Sequence, residues 1–425
     1  MQPTSLHPII IFLLSLFILA LSILPLPSLF TKGIRRISSR LSFSPSQHIP
    51  PFLNPNNQYS SLQKPITTMA SANYTKELEL ALLSVQRATL LTKSVFKSHS
   101  KGTLTKSDSS PVTIGDLGAQ ALIIASIRHA FPTDEIVGEE DADDLRSNTQ
   151  LREQVWELVQ AARLEDAKAE AKLGGPIESV EKMLDAIDGG RSQGGGKGRV
   201  WALDPIDGTK GFLRGGQYAV CLALLVDGEP TVGAIGCPNL PVDDQEPLTT
   251  STGADADDRE GKGVLFGAVK GQGATSRPLG KGDLGPARNI SMKPIDDITQ
   301  ATFCESVEAG HSSHSEAAAI ANKLGITKES VRMDSQAKYG SIARGAGDLY
   351  LRLPVSKAYE EKIWDHAAGV VIVQEAGGVV TDAWGKKLDF GIGRTLKENK
   401  GVVAAPSAVY PKVIEVVKEV LNSKL

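Results

Sequence analysis

Twelve residues near the middle of the chain, Trp201-Ala-Leu-Asp-Pro-Ile-Asp-Gly-Thr-Lys-Gly-Phe212, constrain it more than any other stretch. Val200, Trp201 and Leu203 make an apolar approach that reads as the end of a buried strand. Pro205 and Gly208 then call for a tight corner, because one fixes a backbone dihedral and the other permits conformations most residues avoid. The corner carries Asp204 and Asp207, and a rigid turn can aim both at one small volume. Both are ionised at neutral pH, and like charges held close need a cation between them. Thr209 adds a hydroxyl at the same place. A lone Asp-x-x-Asp is most often a strand end running into an acidic surface turn. Here acidic stretches elsewhere supply candidate partners.

The first is Lys106-Ser-Asp-Ser-Ser-Pro-Val-Thr113, which puts Asp108 in a loop ahead of a helix. Thr113 and Asp116 have the spacing of a capping pair, and Leu117, Ala121, Ile124 and Ile127 continue the helix. The second is Asp134-Glu-Ile-Val-Gly-Glu-Glu140, a short strand through Ile136 and Val137 with Glu139 emerging just past Gly138. Asp141 to Asp144 read as a solvated acidic face. The third is Trp364-Asp-His-Ala-Ala-Gly369, where Asp365 opens a helix and capping alone would explain a carboxylate.

Composition excludes some classes. At 425 residues, 41% hydrophobic and 22% charged, the chain suits one large α/β unit or two domains. A net charge of −3 offers no basic surface for nucleic acid, so the expected partner is a small molecule. Cys221, Cys237 and Cys304 are too scattered for a disulfide framework or a zinc site and read as buried or free thiols. Gly189 to Gly198 looks like a phosphate loop but fails its pattern. Arg191 stands where the first glycine belongs and Gly198 where Ser or Thr is required, so a flexible connector is expected.

Residues 1–70 differ in kind. Ile9 to Leu24 is apolar or small throughout, Lys32, Arg35, Arg36 and Arg40 follow, and no acidic residue precedes Glu77. The run has the length of a signal-peptide core, yet its charges follow rather than precede it. An acid-free leader bearing Arg and Ser also suits mitochondrial import, and Met69-Ala-Ser could be an alternative start. Each reading leaves 1–70 outside the fold. The core is expected in the cytoplasm, without a stable membrane partner.

Along that core, Thr75 to Lys97 reads as an amphipathic helix capped by Thr75, and 148–188 as helical. Tyr218 to Val226, Val232 to Ile235 and Val264 to Val269 read as strands, with surface loops at about 241–262 and 271–287. Strands at 301–305, 349–353, 379–382 and 402–404 then alternate with helices at 313–324, 366–376 and 408–421, the pattern of a layered α/β domain.

Val137-Gly-Glu-Glu140, Leu203-Asp-Pro-Ile-Asp-Gly-Thr209 and Trp364-Asp-His-Ala-Ala-Gly369, in this order and followed by Glu375-Ala-Gly-Gly378, resemble the metal-dependent, lithium-sensitive phosphomonoesterases. That superfamily includes inositol monophosphatase and fructose-1,6-bisphosphatase. The likeness covers about residues 75–422. Six segments are similar, beyond that, to its 3′(2′),5′-bisphosphate nucleotidase branch, particularly the fungal members. They are Lys106 to Thr113, Asp207 to Arg214, Gly310 to His314, Asp334 to Tyr339, Tyr350 to Pro354 and Glu361 to Asp365.

The resemblance implies an α/β fold built as a five-layer α-β-α-β-α sandwich, with an N-terminal α+β part (71–240) and a C-terminal α/β part (241–425). It implies roughly two to three Mg²⁺ ions held by Glu139, Asp204, the Ile206 carbonyl, Asp207 and Asp365. Asp108 and Thr209 match the pair that activates the attacking water. Thr209, His311, Ser335, Lys338, Arg352 and Asp365 match substrate contacts; His314 could replace His311, and Arg352 could instead be a surface pair. The implied reaction, in a monomer, is hydrolysis of adenosine 3′,5′-bisphosphate to AMP and phosphate, with 3′-phosphoadenylyl sulfate as a second substrate and a role in sulfate assimilation and in salt and lithium tolerance. An inositol polyphosphate 1-phosphatase and a non-catalytic nucleotide sensor are the alternatives. The intact acidic set argues against the sensor.

Overall fold

The period-two alternation of the central strand sets the layers. In the computed structural model, which describes residues 73–100, 110–244, 248, 261–308, 310, 312–356 and 358–423, β2 (Arg199–Asp207) is buried on both faces. Trp201 and Leu203 join one hydrophobic cluster, and Val200 and Ala202 join another. A strand buried on both sides needs a layer of helices on each.

Among the described residues, β1 (Glu135–Gly138), β2, β3 (Ala219–Val226), β4 (Glu229–Pro241), β5 (Lys262–Val269), β6 (Ala274–Pro278) and β7 (Arg288–Ile290) form one sheet in sequence order. Only the β1–β2 pair in it is parallel. A second sheet has the order β11-β12-β10-β8-β9, from β8 (Phe303–Glu305), β9 (Val331–Arg332), β10 (Leu349–Arg352), β11 (Gly378–Thr381) and β12 (Val402–Pro406).

The clusters fix the stacking. Helices Thr75–Ser100 and Pro111–Ala130 bring Leu80, Leu83 and Ile123 against Trp201, Leu222 and Leu224 of the first sheet. On the other face, Ala223 and Ile235 meet Tyr339 and Ile342 of the helix Ala337–Ala343 and Val371 of the helix Ala367–Glu375. The same cluster reaches Val380 and Ala404 of the second sheet. That sheet's far face, through Leu349, Leu351 and Val403, meets Ile320 of His314–Leu324 and Val417 of Tyr410–Asn422. The result is the expected α-β-α-β-α sandwich.

The structure corrects several local expectations. The first helix is capped by Asn73, whose Oδ1 accepts the Thr75 N–H, so Thr75 lies inside the helix. The segment 148–188 holds three helices, Thr149–Ala161, Ala167–Lys172 and Val180–Asp188. The loop expected at 271–287 contains β6, which pairs with β5. A division at residue 240 falls at the end of β4 (Glu229–Pro241), inside the first sheet, because β5 goes on to pair with β4; the change of sheet comes between Ile290 and Phe303. The glycine-rich stretch 189–198 is no free connector. Gly138 donates to the Gly190 carbonyl and Ser192 to that of Ile136, so it packs along β1. All three cysteines are buried and unpaired. Among the described residues no helix is long and apolar enough to cross a membrane; the leader lies outside them.

The middle helical layer packs closely on the first sheet at Gly233 of β4. A Cβ there would sit 2.6 Å from the Ala368 carbonyl oxygen, and a backbone atom cannot swing aside. Gly233→Ala should therefore destabilise the protein by about 1–3 kcal/mol, the usual cost of overpacking a core. Urea unfolding checks this; an unchanged midpoint would mean the layers are not pressed together there.

Candidate active site

Asp204 and Asp207 are an odd number of residues apart, so simple alternation would send them to opposite faces of β2. A bulge prevents this. Asp204 pairs with Cys221 of β3 and Asp207 with Ala219, three steps on one strand against two on the other. Pro205, which cannot donate to a ladder, lies inside the bulge. Both carboxylates then line one cavity of about 290 Å³. Gly208 follows with φ of 88°, and a Cβ on it would come within 3.0 Å of Ser335. Thr209 then starts the short helix Thr209–Leu213.

β1 runs parallel to β2 with Gly138 beside Leu203, which delivers Glu139 next to Asp204. Asp365 arrives from the turn ahead of Ala367–Glu375. The cavity walls include Glu139, Asp204, Ile206, Asp207, Thr209 and Asp365. Ser335, Lys338 and Arg352 line it as well. Asp108 and His311 lie outside the described residues. His314 lines a separate groove, its ring nitrogen 3.0 Å from the Ser306 carbonyl. Arg352 is no surface pair: it is buried, donating to Glu361 at 2.9 and 2.7 Å.

The acidic wall is electrostatically unsatisfied. Burial, then Asp365, Glu140 and Asp207, raise the Glu139 carboxyl to about 8, against a hydrogen bond with Asp204. Burial and Asp365 raise Asp207 to about 7, while Lys338, the Gln336 N–H and Arg352 oppose. Asp204 is driven well above the usual carboxylate range by burial and then by Glu139. Its Oδ1 is buried with no hydrogen-bond partner among the described residues. A bare oxygen amid crowded carboxylates fits a hard divalent cation, and Mg²⁺ suits an all-oxygen donor set. Glu361, Asp365 and His366 also place ligand atoms within 4.8 Å of one another. The Arg352 guanidinium already neutralises Glu361, and His366 is engaged by Glu361 at 3.2 Å and Tyr339 at 2.8 Å. Asp365 is the least engaged of the three, since Arg352 reaches only its Oδ2, at 3.4 Å.

The cationic wall is held just as firmly. The Lys338 ammonium donates to the carbonyls of Met333 at 3.0 Å and Ser335 at 2.8 Å. Burial brings its pKa down to about 8, with Asp207 and Asp334 opposing. Burial would raise Glu361, yet Arg352 and His366 outweigh it and hold that carboxylate at about 2. Ser335 takes φ of 68°, a strained value for a residue with a side chain.

The sequence reading missed two residues. Asp116 does not pair with Thr113 as a cap, because the helix begins at Pro111. It is buried in the second turn, where its carboxylate accepts the Ile206 N–H and feels Glu140 and Glu139; burial is the main reason its pKa is well above the usual range. Gly115 beside it lets the helix approach, since a Cβ there would lie 2.7 Å from Ile206. An aspartate at a buried position of an otherwise apolar helix face was the available signal. Gln336 was the other. Its backbone donates to Asp207 at 2.6 Å, while its side-chain amide joins the Trp364 carbonyl at 2.8 Å and the Gly369 N–H at 2.9 Å.

Proton linkage fixes a sign for this cluster. Glu139 moves from 4.5 to about 8 and Asp207 from 3.8 to about 7 on folding. Across that window the folded chain holds protons the unfolded chain has released, so stability falls as pH rises. Metal-stripped protein should melt at progressively lower temperature from about pH 5 to about pH 8, and saturating Mg²⁺ should remove most of that loss. Scanning calorimetry in chelator and in Mg²⁺ measures both. A stripped protein whose melting point climbs over this range would contradict the burial of these carboxylates.

Residues 73–422 match the inositol monophosphatase family model. The chain is 62% identical over 350 residues to a 3′(2′),5′-bisphosphate nucleotidase of Emericella nidulans, covering 82% of this chain and 99% of that one. It is 51% identical over 348 residues to a 3′(2′),5′-bisphosphate nucleotidase of Schizosaccharomyces pombe, covering 81% and 95%. Among solved structures, an inositol monophosphatase from Zymomonas mobilis is similar in fold, with a TM-score of 0.50 at 19% identity over 82% of this chain and 99% of that one. With its layered fold and the acidic cavity at the end of β2, this chain belongs to the inositol monophosphatase family.

Proposed function

We propose that this protein hydrolyses the 3′-phosphate of adenosine 3′,5′-bisphosphate, giving AMP and inorganic phosphate. The observation that carries this reading is one cavity lined both by carboxylates, Glu139, Asp204, Asp207 and Asp365, and by buried cations, Lys338 and Arg352. The first group suits a phosphate that reacts with help from a metal, and the second suits further negative charge on the same molecule. The relatives' names support the nucleotide.

Glu139, Asp204, the Ile206 carbonyl, Asp207 and Asp365 would hold roughly two to three Mg²⁺ ions. Bound there, Mg²⁺ neutralises the phosphate dianion and makes water acidic enough to lose a proton near pH 7. The chain's own groups do the rest. Thr209 orients the attacking water with its hydroxyl. We assign the proton to Asp108, the partner of Thr209 that the sequence resemblance implies. The water oxygen bonds to phosphorus as the bond to the ribose oxygen breaks, and that oxygen leaves with a proton. Lys338 and Arg352 bind the second phosphate as fixed charges that need no reorganisation. 3′-Phosphoadenylyl sulfate offers the same 3′-phosphate and is the second proposed substrate, consistent with a part in sulfate assimilation.

Phosphate release with Mg²⁺ across adenosine 3′,5′-bisphosphate, 3′-phosphoadenylyl sulfate, inositol 1,4-bisphosphate and fructose 1,6-bisphosphate tests the assignment. The adenosine compounds should show the highest kcat/KM; preference for the inositol ester would make the chain an inositol polyphosphate 1-phosphatase. Asp204→Asn should lower kcat by at least about a hundredfold, the scale of losing one preorganised charged group, without loss of fold. Near-normal turnover of that variant at saturating Mg²⁺ would end the metal assignment. Li⁺ also seeks hard oxygen donors but carries half the charge of Mg²⁺. It should therefore inhibit turnover, and Na⁺ more weakly; activity indifferent to a large excess of Li⁺ would count against the site.

A further inference from the structure

Two features remain unused by this mechanism: the glycine-rich stretch along β1 and Arg394. They meet. The Arg394 guanidinium donates to the carbonyls of Gly138 at 2.6 Å, Ser192 at 2.9 Å and Gly190 at 3.3 Å. Gly138 is the residue before Glu139. Glycine at 190 eases this convergence, since a Cβ on it would crowd the Gly138 backbone at 3.1 Å. Gln120 fixes the other side of the same strand end, bonding the Glu140 N–H at 3.1 Å and its carbonyl at 2.7 Å.

The backbone around Arg394 is tied to the segment just ahead of Asp365. The Arg394 carbonyl accepts the Ile363 N–H at 3.2 Å, Lys362 bridges to Thr395, and Leu396 donates to the Glu361 carbonyl at 2.8 Å. Its guanidinium also stacks over Trp364, 4.9 Å from the ring centroid. Trp364 is the residue before Asp365. One side chain therefore grips the peptide ahead of Glu139 and the ring ahead of Asp365, two acids that reach the cavity from a strand end and from the turn before a helix and repel each other.

We propose that Arg394 is a positioning residue of the metal site, holding Glu139 and Asp365 at a fixed separation so that metal binding does not have to order them. It touches neither substrate nor the reacting atoms. The inference rests on the metal-site reading above. A planar fork that serves three carbonyls and stacks on an indole cannot be replaced by an ammonium, so charge alone does not explain it.

Arg394→Lys, Arg394→Ala and Trp364→Leu test this. Mg²⁺ binding to each metal-stripped protein is measured by titration calorimetry, without substrate, beside the Mg²⁺ dependence of turnover. Both Arg394 variants should bind Mg²⁺ about 10–100-fold more weakly, the range for residues that orient metal ligands, and Trp364→Leu should shift the same way by less. At saturating Mg²⁺ the KM for adenosine 3′,5′-bisphosphate should stay within about twofold of the parent, because the nucleotide contacts are untouched. Arg394→Lys with parental Mg²⁺ affinity would overturn the proposal, as would a lowered melting point with Mg²⁺ binding intact. Should Arg394→Ala fail to fold, Arg394→Lys and Trp364→Leu decide. A parent protein that binds no Mg²⁺ would bring down the metal-site reading itself, a result distinct from equal binding by parent and variants.

Discussion

The carboxylates at the end of β2 repel one another in a place too buried for water to screen them. Glu139, Asp204, Asp207 and Asp365 come from three separate stretches of chain, and Glu139, Asp207 and Asp365 each raise the proton affinity of neighbouring acids. A fold can keep such a group only if rigid backbone resists its spreading, and if protons or a cation take up the charge. Much of the surrounding structure answers that need. The bulge at Pro205 turns two acids to one side. Gln336 bonds Asp207 through its backbone and the Asp365 helix through its side chain. Arg394 and Gln120 hold the strand end that carries Glu139.

The same repulsion organises the opposite wall. Lys338 and Arg352 are buried cations, each costly alone, and each is held by fixed acceptors before any ligand arrives. Arg352 is fastened by Glu361, which His366 holds in turn against Tyr339. Such a chain of neutral and charged hydrogen bonds costs little to maintain once packed, since every member has a partner. The cavity thus carries negative and positive groups side by side, Arg352 coming within 3.4 Å of Asp365.

Glycine has a narrow part in this design. At Gly208 a positive φ turns the chain from strand to helix immediately after the second aspartate. At Gly190 the absence of a side chain lets the glycine-rich segment lie against β1. That segment looked like a loose connector because composition reports flexibility in isolation. Packed against β1 and capped by Arg394, it is part of the wall behind Glu139.

The sequence by itself determined the local pieces. The apolar approach through Val200, Trp201 and Leu203 marked the end of a buried strand, and Pro205 with Gly208 marked the corner. The spacing of strands and helices after residue 300 marked a layered α/β unit. Motif likeness then named Glu139, Asp204, Asp207 and Asp365 together. These were legible because turn chemistry and periodicity act over a few residues. What only the tertiary structure decided are the long-range pairings: the seven-stranded sheet running past residue 240, Asp116 facing Ile206, Gln336 bonding both Asp207 and the Trp364 carbonyl, and Arg394 reaching across to Gly138. Asp116 had the spacing of a helix cap and became a buried acid, because the helix starts two residues earlier and Gly115 lets it approach β2. Each of these depends on which surface packs where. That choice is made by the summed burial of the whole core, and no window of neighbouring residues contains it.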